Sequence, residues 1–448
     1  MSRLPTPPTV PPSLVLCADG GGSKVCVVIR TEDGVEVRGT AGPCNVQSVG
    51  FPNAAQAILL ATYRALSQLP GSYLPKDFSI PPLPEQESTV NTGHNTHPSP
   101  RTVPSTPFTS RTPSPRPNGP LPGINVPIFA AAWLGLAGVN TAADANNFAP
   151  YVPRVLNIPQ DKIKVSNDVN LLAAPALEIP NIRHVVAVVC GTGTVGRTLR
   201  ISHSARVPGA KRTLPLEDVA VSRGWGHLLC DEGSAFWIGR LAIRALLSHA
   251  DRHASSQIHS TPPPALLPFH NDLLAYFGVP EPMGLIELIS HTGRWIEGAG
   301  GDASQVASRR NAMLAGAARI VLRWAFPEDQ DSARGVQPPS PPATSTTTPI
   351  QLGSQDPTAL SQQAALSIAK NAIVPLIDLT MCLLGDRTIA KPEESALALG
   401  GGLMMSKGYR GLLLEGLRRE GVEWGSVQVI SDAAGAGAIG LAAVEFAK

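Results

Sequence analysis

Asp231 and Glu232 stand side by side, directly after Cys230 and close behind His227. They lie in the run Arg223-Gly224-Trp225-Gly226-His227-Leu228-Leu229-Cys230-Asp231-Glu232-Gly233-Ser234. A carboxylate pair near an imidazole and a thiol supports three chemistries: orienting sugar hydroxyls, holding a metal ion, or moving protons. Gly224 and Gly226 let a ligand approach the backbone closely. Zinc is disfavoured, because the His227/Cys230/Asp231 spacing fits no standard site and no second His/Cys pair follows. The run leads into an expected helix over 236–248.

Three further loops could hold phosphate, each at the end of a short apolar run that reads as a core strand. Asp19-Gly20-Gly21-Gly22-Ser23-Lys24 follows Leu14–Ala18, Gly191-Thr192-Gly193-Thr194 follows Val185–Cys190, and Gly400-Gly401-Gly402 follows Ser395–Leu399. Glycine exposes backbone N–H groups to a bound anion, and Ser or Thr adds hydroxyl donors. Gly191-x-Gly193-x-x-Gly196 matches the dinucleotide fingerprint by letter, yet Thr198–Ile201 reads as a strand where that fingerprint needs a helix. Gly435-x-Gly437-x-x-Gly440 opens a helix but lacks the strand and acidic residue that should follow. No Walker-type P-loop is present.

The elements that must position these loops are an α/β set. A β-meander opens the chain, with a helix over 53–69 begun by Asn53. The run 128–138 is a buried strand entering a small-residue loop, a helix is expected over 144–152, and 162–165 is a strand leading to Asn167-Asp168. A helix is expected over 171–177, another over 303–325, and a long one over 360–384 kinked at Pro375. Residues 75–122 and 333–357 are rich in Pro, Ser and Thr and read as disordered insertions.

The 448 residues exceed one simple core, so two lobes are expected. Net charge is only +2, without a basic block, which argues against nucleic acid or an anionic membrane as partner. No apolar run reads as a span of about 18 residues, and the first residues lack a signal-peptide order. Six scattered cysteines without a C-x-x-C pair suggest free thiols in the cytoplasm.

The order strand–GGG–strand, strand–GTGT–strand, strand–GGG–helix resembles the superfamily of sugar kinases, actin and heat-shock ATPases. Within it, Gly224–His227 with Asp231–Ile238 resembles the eukaryotic, fungal-like N-acetylglucosamine kinases of the BadF/BadG/BcrA/BcrD-type ATPase family. The resemblance implies a two-lobed actin-like fold with ribonuclease H-like βββαβα cores that clamp ATP. One lobe would take 14–165 plus the last helix, about 434–448, and the other 166–433. It implies phosphorylation of N-acetylglucosamine at its 6-hydroxyl with ATP and Mg²⁺. A kinase of another hexosamine or hexose, or a sugar- or nucleotide-binding regulator without turnover, stays open. A homodimer is a further expectation.

By this resemblance Asp19, Gly21, Gly22, Ser23 and Lys24 form the first phosphate loop, Gly191, Thr192 and Gly193 the second. Gly400 and Gly401 form the adenosine loop, with Ser406 behind them. Asn45, Asn140, Thr194, Gly224, Trp225, Gly226 and Asp231 would meet the sugar. Asp19 and Asp168 are candidates for Mg²⁺. In these kinases an Asp after the small-residue loop binds sugar and serves as base, whereas this chain has Leu136-Ala137-Gly138-Val139-Asn140. Asn takes no proton. Either Asp168 or Asp144 then supplies the base, or turnover is slow or lost; Asp168 is preferred.

Overall fold

The structure, a computed structural model, describes residues 14–84, 119–202, 214–255, 266–290, 303–329 and 356–446. It divides into two compact units, Met1–Asp168 with Leu441–Lys448, and Val169–Gly440.

The first unit carries β1 (Leu14–Gly20), β2 (Val25–Thr31), β3 (Glu36–Ala41), β4 (Phe129–Leu136) and β5 (Ile163–Ser166). They form one sheet in the order β3-β2-β1-β4-β5. The β1–β2–β3 meander is antiparallel, while β4 and β5 join β1 in parallel. The second unit carries β6 (His184–Cys190), β7 (Thr194–Ile201), β8 (Leu216–Arg223), β9 (Ser395–Gly400) and β10 (Ser426–Ile430). Its order, β10-β9-β6-β7-β8, repeats the same plan. Again a three-stranded meander continues into parallel strands. Two such mixed sheets with helices are the α/β, actin-like cores that the resemblance implies.

The parallel pairings place the functional loops. Gly20 lies opposite Leu136 and Gly135 opposite Ser166, so β1, β4 and β5 end along one sheet edge. Val189 lies opposite Gly400, so β6 and β9 end together as well. The carboxyl ends of parallel strands are where such sheets bind ligands.

In the first unit the Phe51–Leu66 helix buries Ala54, Ile58, Ala61 and Leu66. Gly39 in β3 has no Cβ to collide with the Ala61 carbonyl, which lets this helix lie close to the sheet. In the second unit the Pro357–Leu384 helix contributes Ala365, Ala369, Ala372 and Leu376 to the core. By length and composition it is apolar enough to cross a membrane, contrary to the sequence reading. Its small and aliphatic residues are explained by the core they fill.

Several other expectations need correction. The insertion expected over 75–122 begins and ends inside the fold. Tyr63 stacks on Phe78, Arg64 donates to the Pro84 carbonyl at 3.0 Å, and the Leu121 N–H donates to Gln56 at 3.0 Å. The aliphatic and aromatic residues at its two flanks supply enough burial to order them. Asp356 caps, and Pro357 opens, the helix that was expected at 360. Residues 85–118 and 330–355 lie outside the described residues, as do the first thirteen residues and the Pro run near 262.

Asn53 caps nothing: Gly50 holds the cap position, and the Asn53 amide donates to the Val49 carbonyl at 2.8 Å. The helix expected over 171–177 starts earlier, as the 3-10 helix Asp168–Glu178, and Pro175 within it removes a donor an α ladder would require. The single helix expected over 303–325 is two, Ala303–Gly316 and Ala318–Ala325.

Candidate functional site

In the first unit, β1 ends at Asp19 and Gly20, and the Gly21 N–H donates to Lys24 at 2.9 Å to close the hairpin into β2. Gly21 and Gly20 also accept from the Cys44 and Ala137 N–H groups, at 3.0 and 2.7 Å. A Cβ on Gly20 would lie 2.6 Å from Leu136 and 3.1 Å from the Cys44 sulfur. The hairpin is thus tied to both neighbouring loops. Asn45 follows Cys44 and caps the short helix Val46–Val49, its Oδ1 accepting from the Gln47 and Ser48 N–H groups at 3.0 and 3.2 Å. The Val46 N–H donates to Ala137, and Gly138 (φ 87°) passes so close to Asn45 Oδ1 that a Cβ would sit 2.7 Å away.

The chain of contacts continues to Asp168. The Asn167 amide donates to the Val139 carbonyl at 3.0 Å, next to the exposed Asn140. Asp19–Lys24, Asn45, Asn140 and Asp168 are therefore gathered at one edge of one sheet. Asp19 is half-buried, and Cys44 registers its charge: burial first, and Asp19 second, push that thiol up to about 12.

Asp144, the other candidate base, is committed elsewhere. Its Oδ2 accepts from the Asn140 N–H, the Thr141 N–H and the Thr141 hydroxyl at 3.1, 2.8 and 2.8 Å, completing a capping box on the Ala142–Phe148 helix. The Thr141 hydroxyl and the two N–H groups hold its carboxyl below the usual value. A carboxylate so satisfied is a poor proton acceptor. Asp144→Ala is expected to cost about 1 kcal/mol of stability in a denaturant titration, while the pH profile of turnover keeps its shape.

In the second unit, the acidic pair is held by the Gly191–Thr194 loop. The Thr194 N–H donates to Asp231 Oδ1 at 3.1 Å, and the Thr194 hydroxyl donates to the Glu232 carbonyl at 2.8 Å. A Cβ on Gly193 would lie 2.6 Å from Asp231 Oδ1, so glycine there makes room for this carboxylate. Asp231 adopts a left-handed backbone at φ 58°. Burial raises its pKa above the ordinary carboxylate value, opposed by the Thr194 N–H and the nearby His227. Glu232 turns away and pairs with Arg223 at 2.5 Å, closing the ends of the run on each other.

The Gly224 N–H donates to the Thr194 carbonyl at 3.1 Å, and the Ala235 N–H, opening the Ala235–Ala254 helix, donates to Gly191 at 2.9 Å. Gly401 (φ 87°) lies against the Cys190 carbonyl, where any Cβ would collide. Gly191–Thr194, Gly224, Asp231 and Gly400–Gly401 are thereby brought together.

Two expected residues are placed differently. Thr194 is 2% exposed with its hydroxyl spent on Glu232, so it positions Asp231 and does not present a ligand group. Ser406 caps the Lys407–Arg419 helix by accepting from the Tyr409 N–H at 3.2 Å, and it donates to Asp329 at 2.7 Å. Trp225 is 66% exposed, and Gly226 beside it is exposed as well. Thr192, in contrast, is exposed at the loop tip. Sequence reasoning missed β8, whose Glu217-Asp218 pair hides its alternation, and the Cys190 and Tyr409 side chains behind the acidic run.

No family model matches the chain. A segment is 31% identical over 131 residues to the N-acetylmuramic acid/N-acetylglucosamine kinase of Clostridium acetobutylicum, covering 29% of this chain and 36% of that protein. The match thus spans about a third of the curated relative's length. A proposed N-acetylglucosamine kinase from Porphyromonas gingivalis superposes with TM-score 0.50 at 16% identity, over 96% of this chain and 98% of that one. One from Chromobacterium violaceum gives TM-score 0.46 at 16% identity, over 96% and 99%. The first of these structures shares the fold.

Proposed function

We propose that the chain is an ATP-dependent kinase that phosphorylates N-acetylglucosamine on its 6-hydroxyl. One observation carries the reading. Gly22, Gly191 and Gly402 each follow the end of a strand, have φ outside the left-handed region, and have nothing within 4 Å of an added Cβ. Neither backbone strain nor packing asks for glycine at these positions. Phosphate approaching the backbone in each of these loops does. The name of the Clostridium relative supports an amino sugar as acceptor.

In this reading Asp231, fixed by Thr194, accepts hydrogen bonds from sugar hydroxyls beside the Gly224 backbone, and the resemblance makes Asn45 a further candidate for a sugar hydroxyl. Asp168 takes the proton of the attacking hydroxyl as that oxygen bonds to the γ-phosphorus and the bridging oxygen leaves with ADP. Phosphoryl transfer of this kind depends mainly on positioning and electrostatics. The half-buried carboxylate of Asp19, beside an exposed hairpin, is the hard oxygen donor that Mg²⁺ prefers, with Asp168 the second candidate. When bound, Mg²⁺ would neutralise charge on the phosphates. The six free cysteines suit a reducing compartment, and we place the enzyme in the cytoplasm.

A second reading, a sugar- or nucleotide-binding regulator, is favoured by Asn140 standing where the resemblance expects a base. ADP release measured with N-acetylglucosamine, glucosamine and glucose, beside calorimetric binding of each, separates the readings. Release strongest with N-acetylglucosamine supports the kinase. Release only with another hexose moves the substrate, and binding without release selects the regulator.

A further inference from the structure

We infer that Cys190 and Tyr409 are positioning residues for the Asp231 carboxylate, acting through the carbonyl of Gly233. The inference rests on the reading of Asp231 as a sugar ligand. The Cys190 thiol donates to the Gly233 oxygen at 3.0 Å and the Tyr409 hydroxyl donates to it at 2.9 Å. Both side chains are fully buried. They come from different elements, the end of β6 and the Lys407–Arg419 helix.

The Gly233 carbonyl needs outside donors. It precedes Ser234, whose own carbonyl begins the helical ladder by accepting from Ile238 at 2.9 Å. A buried carbonyl just outside a helix has no intrahelical partner, and leaving it unpaired is costly. One donor would satisfy it; two, from different elements, also restrain it. Burial pushes the thiol and the phenol upward, so both keep the proton they donate.

The same anchoring extends back to Asp231. Its carbonyl accepts from the Ser234 N–H and hydroxyl at 3.2 and 2.5 Å, and the Glu232 carbonyl accepts from Thr194. Three successive carbonyls are therefore each held by hydrogen bonds. Asp231, a non-glycine residue at φ 58°, occupies a backbone region that persists only when the surroundings over-determine it, and Gly233 beside it takes φ 82°, which glycine allows. Gly233 also lies against Leu376, where an added Cβ would sit 3.1 Å from that side chain. Cys190 and Tyr409 thus set where the carboxylate points, from behind the loop.

The test uses the full chain and the variants Tyr409→Phe, Cys190→Ala and Cys190→Ser, with N-acetylglucosamine and ATP titrated separately by calorimetry and folding checked by near-ultraviolet dichroism. Tyr409→Phe and Cys190→Ala should each weaken sugar binding about fivefold, the effect of one buried hydrogen bond, and leave ATP binding unchanged. Cys190→Ser, which keeps a donor, should restore sugar binding. Equal losses for sugar and ATP, or an unchanged sugar affinity in both variants, would overturn the inference alone. A wild-type chain that binds no hexosamine would remove the underlying reading and the inference with it. Should Cys190→Ala not fold, Tyr409→Phe, which removes one oxygen and leaves the thiol in place, decides the matter.

Discussion

Replacing Asp168 with Asn is expected to lower sugar-dependent ADP release by about 10²–10⁴-fold, the worth of a positioned general base. Binding of sugar and ATP should persist, because the amide keeps the size and hydrogen-bonding reach of the carboxylate. The expectation follows from weighing the three candidate carboxylates, Asp19, Asp144 and Asp168. Asp144 is spent on its capping box and held as a weak base. Asp19 lies at the end of β1 beside the hairpin, the position proposed for Mg²⁺. Asp168 remains, one residue after an amide that grips the loop bearing Asn140. Asn140→Asp then tests the assignment from the other side. With the base already at 168, a new carboxylate at 140 should raise turnover by less than about tenfold. A gain of several hundredfold would move the base to position 140 and leave Asp168 a metal ligand. Should Asp168→Asn leave turnover untouched, neither role survives.

The parts of this site that were legible in the sequence are those encoded locally. The strands β1, β6 and β9 are short runs of Val, Leu, Ala and Cys that stop at glycine, and the apolar-to-glycine switch marks both the strand and its loop. What was illegible depends on partners distant in the chain. Gly193 reads as one more phosphate-loop glycine, yet the nearest atoms to its missing Cβ belong to Asp231. Thr194 looks like a hydroxyl offered to a ligand, until its packing under Glu232 takes that hydroxyl. Ser406 likewise looked available, and Asp329 claims it from another segment. β8 escaped because an edge strand need not alternate cleanly: Val221 is 57% exposed, while Asp218 is paired with the buried Arg197 at 3.0 Å. Hydrophobic period finds elements, whereas hydrogen-bond partners decide which polar groups stay free for a ligand.

Gly193→Ala is expected to weaken sugar binding by about 10–100-fold, the range for losing one or two hydrogen bonds to a charged group, with little change in stability. Its φ lies outside the left-handed region, so alanine is allowed by the backbone and even reduces the freedom of the unfolded chain. The three atoms nearest the new methyl all belong to Asp231, with Oδ1 at 2.6 Å and Cγ at 3.0 Å. The carboxylate must swing away and lose the Thr194 N–H. An unfolding titration should therefore show a near-native transition while calorimetry shows the lost affinity; a variant that unfolds would mean that the loop, not the carboxylate, is what glycine serves. The pH dependence sharpens the point. Burial raises the Asp231 pKa above 3.8 in the fold, so the fold holds a proton the unfolded chain has released, and stability falls as pH rises through that window. Sugar affinity runs the other way, because the ionised form is the better acceptor, and it should decline on acidification sooner than an ordinary carboxylate would cause. Asp231→Asn should flatten that decline. Gly193→Ala, by pushing the carboxylate toward water, should shift it to lower pH, a displacement that a simple loss of packing would not produce.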